Sequence, residues 1–378
     1  MGIPMGTDFP SKVTVRHRAA LAVLFLVAAV VSCVILYNAT DSLGFRTLHA
    51  VRGFPFPFPF RDDDESLTSD SEEYNLERVL MDASMPDNTV ILTTLNEAWA
   101  RPGSIFDLFL ESFRIGEHTR PLLNHLVIIT LDHKAFSWCR AVHSHCFALI
   151  MEGVDFSREA YFMTPDYLTM MWTRIDFLRT ILEMGYNFVF TDADVMWFRN
   201  PFPEFYSDAD FQIACDHFSG KSDDRKNKPN GGFKFVRTSN RSIEFYKHWY
   251  LSREKYPGLH DQDVLNRIKN DSFVRQSGLK IRFLDTALFG GFCEPSKDLN
   301  EVCTMHANCC FGLDSKLHDL RILIEDWKRY LSLPPRLKPS MPSWRVPQNC
   351  SLESLHLHFP KAPEEDNEDV EDIDDFDK

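Results

Sequence analysis

Between Thr89 and Leu331, short apolar runs alternate with longer stretches whose apolar residues recur at helical spacing, and this alternation limits the chain to few folds. The short runs are "TVILTTL" (Thr89–Leu95), "LVIIT" (Leu126–Thr130), "NFVFT" (Asn187–Thr191), "FQIAC" (Phe211–Cys215), "GFKFV" (Gly232–Val236) and "IRFL" (Ile281–Leu284). They are rich in β-branched and aromatic residues and read as buried strands. Helical spacing marks Ser104–Glu117, Lys134–His145, Asp166–Gly185, the region around Ile243–Glu254, a segment opening at Asp261, and Asp314–Leu331. In the third of these, Leu168, Met171, Trp172, Ile175, Leu178 and Leu182 share one face, and Gly185 can end the helix. Strand and helix in alternation predict an α/β fold, a mostly parallel central sheet flanked by helices. Such sheets bind ligands outside the carboxyl ends of their strands. No internal repeat interrupts the pattern.

One strand ends in chemistry. "NFVFTDADVMWFRNP" places Asp192 and Asp194 directly after an apolar run, followed by Trp197 and Phe198. A carboxylate pair there can hold a cation, supply a nucleophile, or form a polar turn. The stretch matches the hhhDxDx[TV] signature of haloacid-dehalogenase-like phosphatases, in which the first Asp attacks phosphorus. That chemistry also needs a later Lys and an acidic pair, and the nearby candidates Lys221, Asp223 and Asp224 share one polar loop that follows no apolar strand. In a sugar-nucleotide transferase, Asp-x-Asp binds a divalent ion that stabilises the charge growing on the departing diphosphate. Mn²⁺ and Mg²⁺ are hard cations that take oxygen ligands, hence carboxylates.

The blocks "FTDADVMWFRNPF", "QIACDHFSG", "PNGGFKFV", "HDQDVLN", "GGFCEP" and "MHANCC" occur in that order. Together they resemble the plant nucleotide-diphospho-sugar transferases of glycosyltransferase family 77, over roughly Asp87 to Leu331. The resemblance implies a GT-A fold, a Golgi type II membrane protein, a UDP-sugar donor and retention at the anomeric carbon. It also implies transfer of a pentose or galactose to a cell-wall polysaccharide or glycoprotein. By the same resemblance Asp192 and Asp194 are the metal and donor motif, and His306 is a third metal ligand. Asn230, Gly231 and Gly232 are the turn under the sugar, where glycine lets backbone approach a ligand. Asp261 and Gln262 border the reacting carbon, and Arg174 contacts the donor. Each has a plainer alternative: His306 a structural histidine beside cysteines, Asn230–Gly232 a tight turn, Asp261 a helix cap, Arg174 a solvated surface residue. Trp172 and Trp197 read as core. A non-catalytic scaffold or lectin-like module of the same fold is the alternative to an enzyme.

The flanks suggest location. Ala19–Tyr37 is a nineteen-residue run without charge. As a helix it reaches about 28 Å, near the thickness of a hydrocarbon core. Lys12, Arg16 and Arg18 precede it, which keeps residues 1–18 cytosolic and the rest lumenal. A cleaved signal peptide would have a shorter core and a small-residue end, so residues 19–37 read as an uncleaved transmembrane anchor. Residues 38–86, with "GFPFPFPF" and an acidic run, read as a flexible stem before a transferase domain over 87–333. Residues 334–363 form a proline-rich wrap and 364–378 an acidic disordered tail. The net charge of −14 concentrates in that tail, with ten acids against one lysine, and in 61–77, with eight against one arginine. The globular part is nearly neutral, which argues against a nucleic-acid partner. Of nine cysteines, Cys33 lies in the apolar run. The remaining even set, in an oxidising lumen, predicts disulfides, with Cys309 and Cys310 joined to different partners. Sequons at Asn240, Asn270 and Asn349 are glycosylation candidates, and the one at Asn38 abuts the membrane.

Overall fold

The computed structural model describes residues 75–151, 154–157, 163–341 and 343–350. The anchor, most of the stem and the acidic tail expected above lie outside the described residues. No described helix is long and apolar enough to cross a membrane.

The helices are α1 (Leu76–Ala83), α2 (Glu97–Ala100), α3 (Ile105–Ile115), α4 (His133–Val142), α5 (Pro165–Glu183), α6 (Asn240–Leu251), α7 (Asp261–Ile268), α8 (Ser272–Gln276) and α9 (Leu313–Ser332). The strands are β1 (Thr89–Leu95), β2 (Leu126–Thr130), β3 (Cys146–Ala148), β4 (Asn187–Thr191), β5 (Val195–Trp197), β6 (Phe211–His217), β7 (Lys228–Val236), β8 (Ile281–Phe283), β9 (Phe289–Gly291) and β10 (Thr304–His306). A seven-stranded sheet runs in the order β3-β2-β1-β4-β7-β6-β8, and a three-stranded sheet in the order β5-β10-β9. In the large sheet β1–β2, β2–β3, β1–β4 and β6–β8 pair parallel, while β7 runs antiparallel to both β4 and β6. The expected mostly parallel sheet is therefore present, with one reversed strand. That reversal brings Asn230–Gly232, which are strand residues of β7 and not the tight turn expected from the sequence, beside the carboxyl end of β4, where Thr191 pairs with Phe233.

Alternating residues of β4 feed two cores. Phe188 and Phe190 pack with Ile175, Leu178, Tyr246 and Trp249 under α5 and α6. Val189 faces the opposite layer, with Phe113 of α3, Trp197 and Trp327 of α9. Trp197 is fully buried, and its indole N–H donates to Thr191 Oγ1 at 3.2 Å, which ties β5 back to the end of β4. Trp172 is half-buried and donates to the Leu259 carbonyl. Helix α5 starts where Thr164 caps it and Pro165 fills its first position; the left-handed Gly185 follows its end.

Two further local expectations need correction. The folded part begins before Asp87, because α1 lies inside the segment assigned to the stem. Asn75 caps it, and Leu80 and Ala83 are completely buried. Its apolar stripe is only two turns long and adjoins an acid-rich stretch, which masked it in the sequence. The cap of α7 is His260, whose ring accepts from the Gln262 N–H, and not Asp261.

Cys139 pairs with Cys146, Cys293 with Cys309, and Cys310 with Cys350, so the adjacent cysteines do take different partners. Cys215 and Cys303 are buried free thiols.

Candidate active site

Asp192 and Asp194 follow β4, and β5 begins at the next residue, Val195. β10 pairs antiparallel with β5, His306 opposite Val195, and the Ala307 N–H donates to the Asp194 carbonyl at 3.0 Å. This small sheet is what carries a histidine from far along the chain to the carboxylates. His306 Nε2 lies 3.2 Å from Asp194 Oδ1 and 4.0 Å from Asp192 Oδ2. Ligand atoms of all three residues lie within 4.8 Å of one another.

The donor set suits a divalent cation. Asp194 is 1% exposed, and its Oδ1 has no aligned hydrogen-bond donor. A buried carboxylate oxygen left in that state is costly, and a cation satisfies it. Two carboxylates and one imidazole match Mn²⁺ or Mg²⁺, with coordination positions left for diphosphate and water. The other oxygen, Asp194 Oδ2, pairs with Lys316 Nζ at 2.5 Å. Burial alone would raise the Asp194 carboxyl, but Lys316 and His306 outweigh it and hold the group well below the usual carboxylate range.

Arg174 is 6% exposed, so the surface alternative is wrong for it. It reaches from α5 and spans two acids, Nη1 to Asp192 Oδ1 and Nη2 to Asp261 Oδ2, both at 2.9 Å. Burial would raise the Asp261 carboxyl, but Arg174, then His260, hold it well below its ordinary range. The Gln262 amide is fully engaged: Oε1 accepts from the Gly231 N–H at 2.9 Å and Nε2 donates to Asp216 Oδ2 at 2.8 Å. Asn230 Oδ1 accepts from the Gly232 N–H, and its Nδ2 donates to Asp216 Oδ1. At Gly232 there is no room for a methyl group. A Cβ there would lie 2.4 Å from His306 Cε1 and 2.7 Å from Asp192 Oδ2. The metal, donor and sugar-contact residues predicted from the sequence (Arg174, Asp192, Asp194, Asn230, Gly231, Gly232, Asp261, Gln262 and His306) all line one cavity of about 340 Å³.

Two residues went unassigned in the sequence. Lys316 sits in the first turn of α9, where a lone lysine in an amphipathic pattern carries no signal. Asp216 lies at the end of β6 and accepts from three amides, Asn230, Gln262 and Asn308. Its block, "QIACDHFSG", is one of those that carry the family resemblance, but the carboxylate stands in no motif of its own. Lys221, Asp223 and Asp224 do not line the cavity, and Asp224 is engaged by Ser219 and the Lys226 N–H in its own loop. The phosphohydrolase constellation is absent from this cleft. The sequon residues Asn240, Asn270 and Asn349 are all exposed.

A mostly parallel sheet with a carboxylate–carboxylate–imidazole set at a strand's carboxyl end, beside a glycine pair in the neighbouring strand, is a GT-A-type site for a phosphorylated donor and a divalent ion. The chain belongs to the nucleotide-diphospho-sugar transferase family, whose model matches residues 121–320. It is 52% identical over 276 residues to the Arabidopsis thaliana "Uncharacterized protein At4g15970", covering 73% of each chain. It is 40% identical over 261 residues to "Uncharacterized protein At1g28695" of the same plant, covering 68% of this chain and 78% of that one. A shorter match, 31% over 122 residues, links 29% of this chain to 23% of the "Beta-arabinofuranosyltransferase RAY1" of Arabidopsis thaliana.

Proposed function

We propose that this protein is a retaining glycosyltransferase that moves a pentose or galactose from a UDP-sugar to a cell-wall polysaccharide or glycoprotein in the Golgi lumen, dependent on Mn²⁺ or Mg²⁺. The observation that carries the reading is the convergence of Asp192, Asp194 and His306 beside Lys316. The cation would be held by those three residues and would neutralise charge growing on the departing nucleoside diphosphate.

The chain's own groups supply the rest. Lys316 shares Asp194 with the metal position, so its ammonium is placed to pair with diphosphate oxygens in a complex. Arg174 pairs with Asp192 and Asp261 and fixes both carboxylates in direction. Gln262, clamped at both ends of its amide, presents a rigid polar wall beside Asp261 to the sugar. Asp216 orients Asn230 and Gln262 from the far side of the cleft. The partial likeness to an arabinofuranosyltransferase supports a pentose over galactose. The run at 19–37 and the basic residues before it support a single-pass type II anchor, with the exposed sequons glycosylated in the lumen.

The test is release of nucleoside diphosphate from a panel of UDP-sugars by the purified full chain, with the anomeric configuration of the product read by NMR. Turnover of one pentose donor, lost on chelation and with the anomer retained, is expected. No turnover of any donor, or equal turnover in chelator, defeats the reading. Protease protection of the C-terminal part in sealed Golgi vesicles tests the topology; digestion from outside defeats it.

A further inference from the structure

Lys234 has no part in the chemistry described so far. It sits in the interior of β7, and its side chain is completely buried. Desolvating an ammonium is costly, and an apolar residue would fill a strand interior more cheaply. Its Nζ donates to the Gly231 carbonyl at 3.0 Å and lies over the rings of Phe190 at 4.5 Å and Trp249 at 5.6 Å. A satisfied core lysine is the plain alternative, but the carbonyl it holds belongs to the site.

The Asn230–Gly232 segment of β7 is pinned at successive points. The Gly231 N–H is held by Gln262, the Gly231 carbonyl by Lys234, and the Gly232 N–H by Asn230. The Gly232 carbonyl in turn accepts from the Asp192 N–H at 2.7 Å. A shift of this segment therefore moves Asp192 directly, and it moves the glycine against which His306 packs.

We propose that Lys234 is a positioning residue for the donor site, which holds the Gly231 carbonyl and so sets the depth at which Gly232 seats Asp192 and His306. This rests on the reading of the cleft as a metal and nucleotide-sugar site. Burial, then Arg174, push the Lys234 amine down to about 7, against the pull of Asp261 and Asp192. Charged or neutral, the amine keeps an N–H for the carbonyl, so the role does not depend on its protonation.

The test compares the full chain with Lys234→Met, which removes the donor, and Lys234→Gln, which keeps a shorter, uncharged one. Affinity for Mn²⁺ alone is measured by calorimetry, and amide hydrogen exchange is followed in residues 228–236 of the metal-free protein. Lys234→Met should lose on the order of 10-fold in Mn²⁺ affinity and exchange faster across this segment of β7, with Lys234→Gln recovering part of both. Unchanged affinity and exchange in a folded Lys234→Met protein overturn the proposal. So does a Lys234→Gln protein that falls with Lys234→Met in step with a general loss of thermal stability. Wild-type protein that fails to bind Mn²⁺ overturns both this role and the metal reading. Wild-type protein that shows the expected ordering but turns over no nucleotide sugar sinks the transferase reading and leaves the positioning role standing.

Discussion

The adjacent glycines Gly231 and Gly232 of β7 should respond in opposite ways to the same added methyl group. Neither has a left-handed backbone, so alanine can adopt both conformations and the outcome is decided by space. At Gly231 the nearest atoms to a new Cβ are Asp261 Oδ2 at 3.6 Å, Arg174 Nη2 at 3.7 Å and Gln262 Oε1 at 3.9 Å, all ordinary contacts. At Gly232 the His306 ring would have to retreat by about 1 Å from 2.4 Å to regain normal packing. Metal–ligand distances tolerate only about ±0.2 Å, so such a displacement takes the imidazole out of coordination range. Asp192 is pushed at the same time. Gly232→Ala should therefore weaken Mn²⁺ binding by roughly 10- to 100-fold. Gly231→Ala should bind Mn²⁺ like wild type and gain up to about 1 kcal/mol of stability from a stiffer unfolded chain. Calorimetric titration with Mn²⁺ alone, beside thermal unfolding, reads both effects without a substrate. Equal Mn²⁺ affinity in the two variants refutes the steric reasoning.

Other outcomes follow from the same geometry. Asp194→Ala should lower donor turnover on the order of 10²–10³-fold while the domain stays folded, as judged by circular dichroism; undiminished turnover would show that the aspartates form only a turn. Lys316→Met should weaken nucleoside diphosphate binding about 10- to 100-fold, since a charged hydrogen bond to phosphate is worth about 1.5–3 kcal/mol, and a diphosphate affinity equal to wild type contradicts its placement. Because the Asp261 carboxyl is held below its ordinary range, its contribution is full above the unfolded value of about 3.9 and is lost as pH falls from there. Asp261→Asn should lower stability at neutral pH and flatten the acid limb of a denaturation series; a parallel acid limb in the two proteins counts against the Arg174 pair. Peptide mapping without reduction should recover the Cys139–Cys146, Cys293–Cys309 and Cys310–Cys350 bridges, with Cys215 and Cys303 resisting alkylation until unfolding. Burial pushes the Cys303 thiol up to about 12, so rapid native-state labelling there contradicts the packing.

Much of the frame could be read directly because its signals are local. β4 is a contiguous apolar run with the aspartates at its end, and β2 occupies the same five residues expected for it. The three-residue strands β5, β9 and β10 are too short to show a period, yet they assemble the sheet that delivers His306. Arg174 looked equivocal because helical spacing alone does not say that two acids from other elements close over it. Asp216 and Lys316 were silent for a related reason. Their roles come from partners on β7, α7 and the loop after β4, and a single sequence does not reveal such proximity.

The bridges beside the cleft also impose an order on biosynthesis. Cys309 reaches back 16 residues to Cys293, whereas Cys310 must wait for Cys350, which emerges from the ribosome 40 residues later. A chain oxidised as it enters an oxidising compartment can close the first loop before the second partner exists. The wall between His306 and Lys316 is then half-fastened, and Cys310 stands as an open thiol next to a finished bond. Were Cys310 to displace Cys309 from Cys293 by exchange, the wall would be anchored one residue out of step. Under oxidising conditions, correct closure of the cleft wall therefore depends on the later of the two bonds, and disulfide exchange has one specific error to repair.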